Sequence, residues 1–311
     1  MNTISMLHRS LSDSQLELMH AAGFLALDQV TSEADVARIR KIAETLIAGR
    51  AGFKEGALFD ALGAGDNEPP RFTQIINPHN YSRELKETDF IRHAHAMAVQ
   101  LLGPNARFAT DLLLVKPPHT GGATPWHQDE AFRDPGYDRH DVSFWLPLQA
   151  VDEVNGCMGF LAGSHHGPML EHRLLNGDSK VHALECCGDF DRSMVTNCPL
   201  PVGGATLHQG RTLHHAGPNV SDAPRYAYVV IFDVPPTPVA EPRSFSWQAG
   251  WNTSRQERAD KWRRQGGFAV EIWRGLRKVG IRNPRRLMIY ARRFLGRGRR
   301  RPVVQPPVNA R

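Results

Sequence analysis

The sequence predicts an antiparallel sandwich of the jelly-roll type with flanking helices, and two observations predict it. Many short apolar runs are separated by Gly, Pro and Asn turns, and these runs do not alternate with helical segments as they would in a parallel sheet. A length of 311 residues and a hydrophobic content of 41% suffice for one large β domain with a substantial core.

The elements follow in chain order. Residues 12–22 carry a serine cap and helical spacing, residues 23–27 read as a short strand, and residues 32–47 repeat apolar side chains three and four apart. Residues 49–75 read as a mobile loop region near the mouth of a substrate site. The run 111–115, closed by Lys116-Pro117-Pro118 and by Gly121-Gly122, reads as a buried strand and a turn. Residues 142–148 form a strand-like run with partial alternation, and residues 155–165 supply a turn, a strand and a second turn. Strand-like runs at 203–210 and 226–232 bracket the segment 214–219. The chain thus divides into a helical support and loop region (1–100), a jelly-roll core (101–240) and a basic, partly helical C-terminal extension (241–311).

The chemistry concentrates in His127-Gln128-Asp129. In an extended segment side chains at i and i+2 share a face, so His127 and Asp129 can grip one metal while Gln128 points away. With 15 histidines in the chain, an H-x-D tripeptide is weak alone. It is answered about 85 residues later by a His214-His215 pair and by Arg225. Two imidazoles and a carboxylate converging on one point make the facial triad of a mononuclear non-haem Fe(II) site, which leaves positions open for a co-substrate and dioxygen. If residues 214–215 are extended, only one of the two histidines can face the interior. Most other histidines are expected to be ordinary surface or packing residues. His208 is a candidate supporter of the metal ligands. Neither Gly121-Gly122 nor Gly203-Gly204 opens a helix with the Lys-Ser/Thr pair of a phosphate loop.

The motifs carry a resemblance. Lys116-Pro117-Pro118, Trp126-His127-Gln128-Asp129, Asn155-Gly156-Cys157, Gly163-Ser164-His165 and the run 210–225 stand in the order found in the phytanoyl-CoA dioxygenase family of Fe(II)/2-oxoglutarate oxygenases, which the chain resembles over residues 12–235. The resemblance implies a double-stranded β-helix (jelly-roll, cupin-like). It implies His127, Asp129 and His214 as iron ligands, His214 being preferred because the family places its distal ligand five residues before the Asn matched by Asn219. Arg225 would bind the distal carboxylate of 2-oxoglutarate, with Lys116 and Trp145 contributing to that pocket. The guanidinium fork suits such a carboxylate. The family often has Ser two residues past the distal His, where this chain has Ala216. Fe(II), 2-oxoglutarate and O2 are therefore the expected cofactor and co-substrates, with ascorbate as a supporting reductant. The expected reaction hydroxylates a small organic or lipid-like molecule. Desaturation or epimerisation at the same site is the rival outcome, and a catalytically silent cupin-like binding module the rival class.

Cys157, Cys186, Cys187 and Cys198 lack zinc-type pairing, and neither a signal-peptide core nor an 18-residue apolar stretch is present, so a cytoplasmic protein with reduced thiols is expected. Charge is uneven. Residues 1–250 carry 20 basic and 29 acidic side chains, residues 251–311 carry 18 and 3, and the whole chain is +6. Apolar positions at helical spacing, Phe268, Ile272, Leu276 and Val279 and then a helix opening at Asn283-Pro284, make the extension basic and amphipathic. It suits an anionic membrane surface or an acidic partner. Nucleic acid is disfavoured, because no binding motif accompanies the charge.

Overall fold

The computed structural model describes residues 7–63, 68–119, 122–241 and 243–269. Its helices are α1 (Asp13–Ala22), α2 (Glu33–Ala48), α3 (Asp89–Leu102) and α4 (Ser254–Arg264). The strands begin with β1 (Phe24–Leu27), β2 (Leu58–Asp60), β3 (Thr73–Ile76), β4 (Arg107–Lys116) and β5 (Thr124–His127). They continue through β6 (Tyr137–Asp138), β7 (Asp141–Pro147), β8 (Met158–Leu161), β9 (His172–Leu174) and β10 (Leu184–Cys186). The last are β11 (Val195–Cys198), β12 (Ala205–Gln209), β13 (His214–Ala216), β14 (Arg225–Asp233) and β15 (Thr237–Pro238).

Seven of these strands form a major sheet in the order β1-β12-β7-β14-β4-β3-β2, and four form a minor sheet in the order β11-β8-β13-β5. Every pairing in the two sheets is antiparallel. The result is a jelly roll: two facing sheets with helices packed on the outer side of the larger one.

Strand periodicity separates the two faces of the major sheet. Phe144 and Leu146 of β7 and Tyr228, Val230 and Phe232 of β14 pack with Ile39 of α2 and with Phe90 and Met97 of α3. The intervening residues Trp145, Ala227, Val229 and Ile231 turn the other way, toward Met158, Phe160 and Ala216 of the minor sheet. Both faces are therefore covered, and all seven residues of β7 are buried. That explains why the run 142–148 alternates only partially in its polarity.

The N-terminal elements form as their caps dictate. Ser12 and Gln15 make a capping box on α1. Gly23 ends the helix at φ 82°, where a Cβ would meet His165 Nδ1 at 2.3 Å and Thr212 Oγ1 at 2.7 Å. This glycine therefore lets α1 turn directly into β1, which pairs with β12 and places Phe24 opposite His208.

Two expectations need adjustment. Residues 49–75 are not a loop throughout: β2 and β3 add the edge of the major sheet, and Phe59, Ala61, Leu62 and Phe72 bury themselves against Val181 and Ala183. Short apolar runs found a sheet edge to join. In the extension, the positions of Ile272, Leu276 and Val279 and the helix opening at Asn283 lie outside the described residues, while Phe268 is exposed. Its first part packs on the body: Arg255 Nε donates to Gly56 O at 3.0 Å, and Arg258 donates to Phe53 O at 2.8 Å and Leu58 O at 2.9 Å. Among the described residues no helix is long and apolar enough to cross a membrane.

Candidate metal centre

The site is assembled by register between β5 and β13. Their antiparallel pairing sets His214 directly opposite His127. Gln128 stays extended at φ −112°, ψ 129°, so Asp129 emerges on the same side as His127 even though β5 has ended. His127 Nε2 lies 3.5 Å from Asp129 Oδ1 and His214 Nε2 lies 3.8 Å from the same atom. Among the described residues, His127, Asp129 and His214 are the group whose ligand atoms all fall within 4.8 Å of one another and could hold a metal ion.

Orientation is fixed one bond further out. His127 Nδ1 lies 2.8 Å from Pro125 O and His214 Nδ1 lies 2.8 Å from Thr212 O, each a carbonyl two residues upstream. A carbonyl can only accept, so each Nδ1 carries the proton and each Nε2 offers a lone pair to the centre. Burial, with His127 and His208 nearby, holds His214 neutral, well below its ordinary pKa. Asp129 feels burial as an upward push, but the polar imidazoles of His127, His208 and His214 gathered around it outweigh that push and hold the carboxyl well below its usual range. A carboxylate and neutral imidazoles are the protonation states that bind a divalent metal. The donor set fits iron(II) on its chemistry.

The centre opens into a cavity of about 880 Å³ whose wall along β14 runs from Arg225 through Val229 and Ile231 to Asp233. Arg225 is 1% exposed, its Nε and Nη1 have no hydrogen-bond partner among the described residues, and it sits 5.5 Å over the ring of Trp145. Burial lowers its pKa to about 10, still far above neutrality. A buried guanidinium with donors unspent is a receptor for an anion, because leaving it unpaired is costly.

Lys116 is held differently. It pairs in register with Arg225, yet its Nζ donates to Ala216 O at 3.1 Å and Gly217 O at 2.6 Å. The lysine ties the major sheet to the strand of His214 through those carbonyls, and burial together with the nearby Arg225 pushes its pKa well below the ordinary lysine value. His215 turns away from His214 and packs against Trp126, with ring centroids 4.1 Å apart and the planes inclined by 31°.

The turn that carries Asp129 is clamped from several directions. Gln128, fully buried, donates to Arg211 O at 2.8 Å and accepts from Leu170 N at 2.9 Å, and its backbone N–H donates to His172 Nε2. Glu130 pairs with Arg211 and Arg243, at 2.8 and 2.7 Å. Trp247 and Gln248 donate to Ala131 O, and Trp251 packs on Phe132 and His182. Ser143 donates to Asp129 Oδ2 at 3.1 Å. Sequence reasoning missed Ser143, Glu130 and the 243–251 strap, since only the fold brings distant polar residues to one turn. His208, read as a supporter, does arrive at the carboxylate.

A jelly roll whose cavity holds two imidazoles, a carboxylate and a buried arginine whose Nε and Nη1 have no partner among the described residues has the architecture of the mononuclear iron oxygenases. The chain is a member of the phytanoyl-CoA dioxygenase family, whose model matches residues 19–227. It is 30% identical over 223 residues to a probable α-ketoglutarate-dependent hypophosphite dioxygenase of Stutzerimonas stutzeri, a match covering 64% of this chain and 70% of that protein. It is 26% identical over 184 residues to the phytanoyl-CoA dioxygenase domain-containing protein 1 of Danio rerio, covering 57% and 62%. Among solved structures, EvdO2 from Micromonospora carbonacea var. aurantiaca in complex with 2-oxoglutarate matches with a TM-score of 0.67 and 33% identity, covering 78% of this chain and 99% of that one. This chain is accordingly an Fe(II)/2-oxoglutarate-dependent oxygenase, and its site has the donors for both.

The clamp on the Asp129 turn predicts an acid response. Burial holds His172 neutral, with its pKa down at about 4, whereas the unfolded chain takes up that proton near the ordinary 6.5. Stability from this group is complete above pH 6.5 and declines as pH falls toward 4, by up to about 3 kcal/mol. Urea titrations at pH 7.5 and 4.5 should show this loss in the wild type and a smaller one in His172→Gln. Equal losses would remove His172 as the cause.

Proposed function

We propose that His127, Asp129 and His214 ligate the iron, that Arg225 over Trp145 binds the C5 carboxylate of 2-oxoglutarate, and that the enzyme oxidises a small organic substrate. The convergence of the three ligand atoms within 4.8 Å carries this reading. Iron with 2-oxoglutarate supplies the oxidising power drawn from dioxygen, 2-oxoglutarate leaving as succinate and CO2. What the chain contributes is orientation. Arg225 pairs a carboxylate in a dry setting where the ion pair is strong, and Trp145 keeps that guanidinium fixed and shielded. The apolar walls formed by Phe72, Leu112, Leu114 and Ile231 exclude water from the space beside the metal.

The substrate enters from the end of the cavity away from Arg225. That end is lined by Arg133, Arg139, Asp141 and Asp233, joined as the ion pairs Arg133–Asp141 and Arg139–Asp233, a polar surface that favours a molecule with polar groups over a bare acyl chain. Hydroxylation is the outcome we favour. The family takes its name from phytanoyl-CoA, yet a relative is a probable hypophosphite dioxygenase, so membership does not select the substrate.

Replacing His127, Asp129 or His214 by Ala should abolish succinate formation from 2-oxoglutarate in the presence of Fe(II) and ascorbate, with the fold retained by circular dichroism, and His215→Ala should be milder. A dead His215→Ala beside an active His214→Ala would shift the distal ligand by one residue. Arg225→Ala should weaken 2-oxoglutarate binding by about 2–5 kcal/mol, the cost of removing one partner from a buried charged pair, while Fe(II) binding survives. Unchanged 2-oxoglutarate affinity would exclude Arg225.

The basic extension has a second role in this proposal, attachment to an anionic membrane surface. Each basic residue near such a surface contributes about 1 kcal/mol, screened by salt. Truncation after residue 269 leaves α4 in place and should reduce salt-sensitive binding to phosphatidylserine vesicles while sparing turnover. Equal vesicle binding at low salt by both proteins would eliminate the membrane role.

A further inference from the structure

The two oxygens of Asp129 have different surroundings. Oδ1 faces the Nε2 atoms of His127 and His214, at 3.5 and 3.8 Å. Oδ2 faces Ser143 Oγ at 3.1 Å and His208 Nε2 at 3.5 Å. Ser143 and His208 are directly opposed across β7 and β12, so one rung of the major sheet presents both side chains to the same oxygen. His208 is 3% exposed, and neither of its ring nitrogens has a hydrogen bond among the described residues. Its ring is packed between Phe160, at 5.3 Å between centroids, and His214, at 4.3 Å. It lacks the close approach to all the other donors that defines the three-residue group.

A buried imidazole without a partner is costly, and such groups in native proteins usually have a use. Two uses are open to this one: a fourth protein ligand to the metal, or a donor that holds the carboxylate. A fourth ligand would fill one of the positions needed for 2-oxoglutarate and dioxygen. We propose that His208 is a positioning residue that donates from Nε2 to Asp129 Oδ2 and, with Ser143, leaves Oδ1 alone to the metal. The proposal rests on the metal-centre reading above and goes beyond it: it states how the carboxylate is kept to one ligating oxygen. The 3.5 Å separation is within about 0.5 Å of a normal hydrogen bond, a distance that a small side-chain rotation covers. The same contact fixes the imidazole tautomer with its proton on Nε2.

The test separates donor position from bulk. A glutamine amide nitrogen reaches about as far as Nε2, and an asparagine amide nitrogen about as far as Nδ1. In the full-length protein under anaerobic conditions, Fe(II) affinity measured by calorimetry should fall about 10- to 100-fold in His208→Asn and in His208→Phe, the usual effect of losing a ligand's polar supporter, and should stay close to wild type in His208→Gln. Pulsed electron paramagnetic resonance of the Cu(II)-loaded protein should count two coordinated imidazoles in the wild type and in His208→Gln. His208→Asn binding Fe(II) as tightly as wild type overturns the proposal. Three coordinated imidazoles in the wild type, falling to two in the variants, would instead make His208 a ligand and also overturn it. His127→Ala serves as the control on the underlying reading: if it binds Fe(II) like the wild type, the metal centre itself is misassigned, whatever the His208 variants do.

Discussion

A carboxylate placed deep in a protein must be paired or it will take up a proton, and Asp129 is the group around which this molecule is arranged. Its side chain is open only to the cavity, 22% exposed, and four side chains converge on its oxygens. They come from four strands in two sheets: His127 from β5, Ser143 from β7, His208 from β12 and His214 from β13. Holding these strands in register is what the larger architecture accomplishes. The pairing of β12 with β7 and of β13 with β5 sets which residues can meet at the centre. A one-residue slip in either would turn the imidazole or hydroxyl to the opposite face.

The turn after β5 is irregular, and the chain secures it with polar contacts drawn from far along the sequence. Gln128 ties it to the segment before β9, Glu130 to Arg211 and Arg243, and the strap at 247–251 covers it from outside. The C-terminal segment thus begins as part of the folded body: the strap lies beyond the family match at 19–227 yet braces the Asp129 turn, and α4 packs on the chain around β2. Lys116 performs a related task from the other sheet, fastening β4 to the carbonyls that follow His215.

Much of this was legible in the sequence, and the reasons differ by residue. The helices over 12–22 and 32–47 were readable because their caps and periodicity are local. The jelly roll was readable from turn spacing, although the edge strands β2 and β3 were hidden by their brevity and by the Gly-rich chain around them. His127, Asp129, His214 and Arg225 stood out through motif order, and the fold lines their side chains along one cavity. The roles of Ser143, Glu130, Trp247 and Trp251 were not readable: each depends on a contact across 14 or more residues, and single side chains leave no periodic trace. Lys116 shows a related limit: its place in the motif suggests the co-substrate pocket, and the motif does not encode the contacts its Nζ makes to Ala216 O and Gly217 O.

The central claim is that one cavity couples a metal triad to a carboxylate receptor. Anaerobic calorimetry of 2-oxoglutarate binding, with and without Fe(II), tests it most directly. A keto acid that engages the metal at one end and Arg225 at the other should bind tightly only when Fe(II) is present, and His214→Ala should lose that metal-dependent gain. Equal affinity with and without Fe(II), or a gain that persists in His214→Ala, would contradict the account.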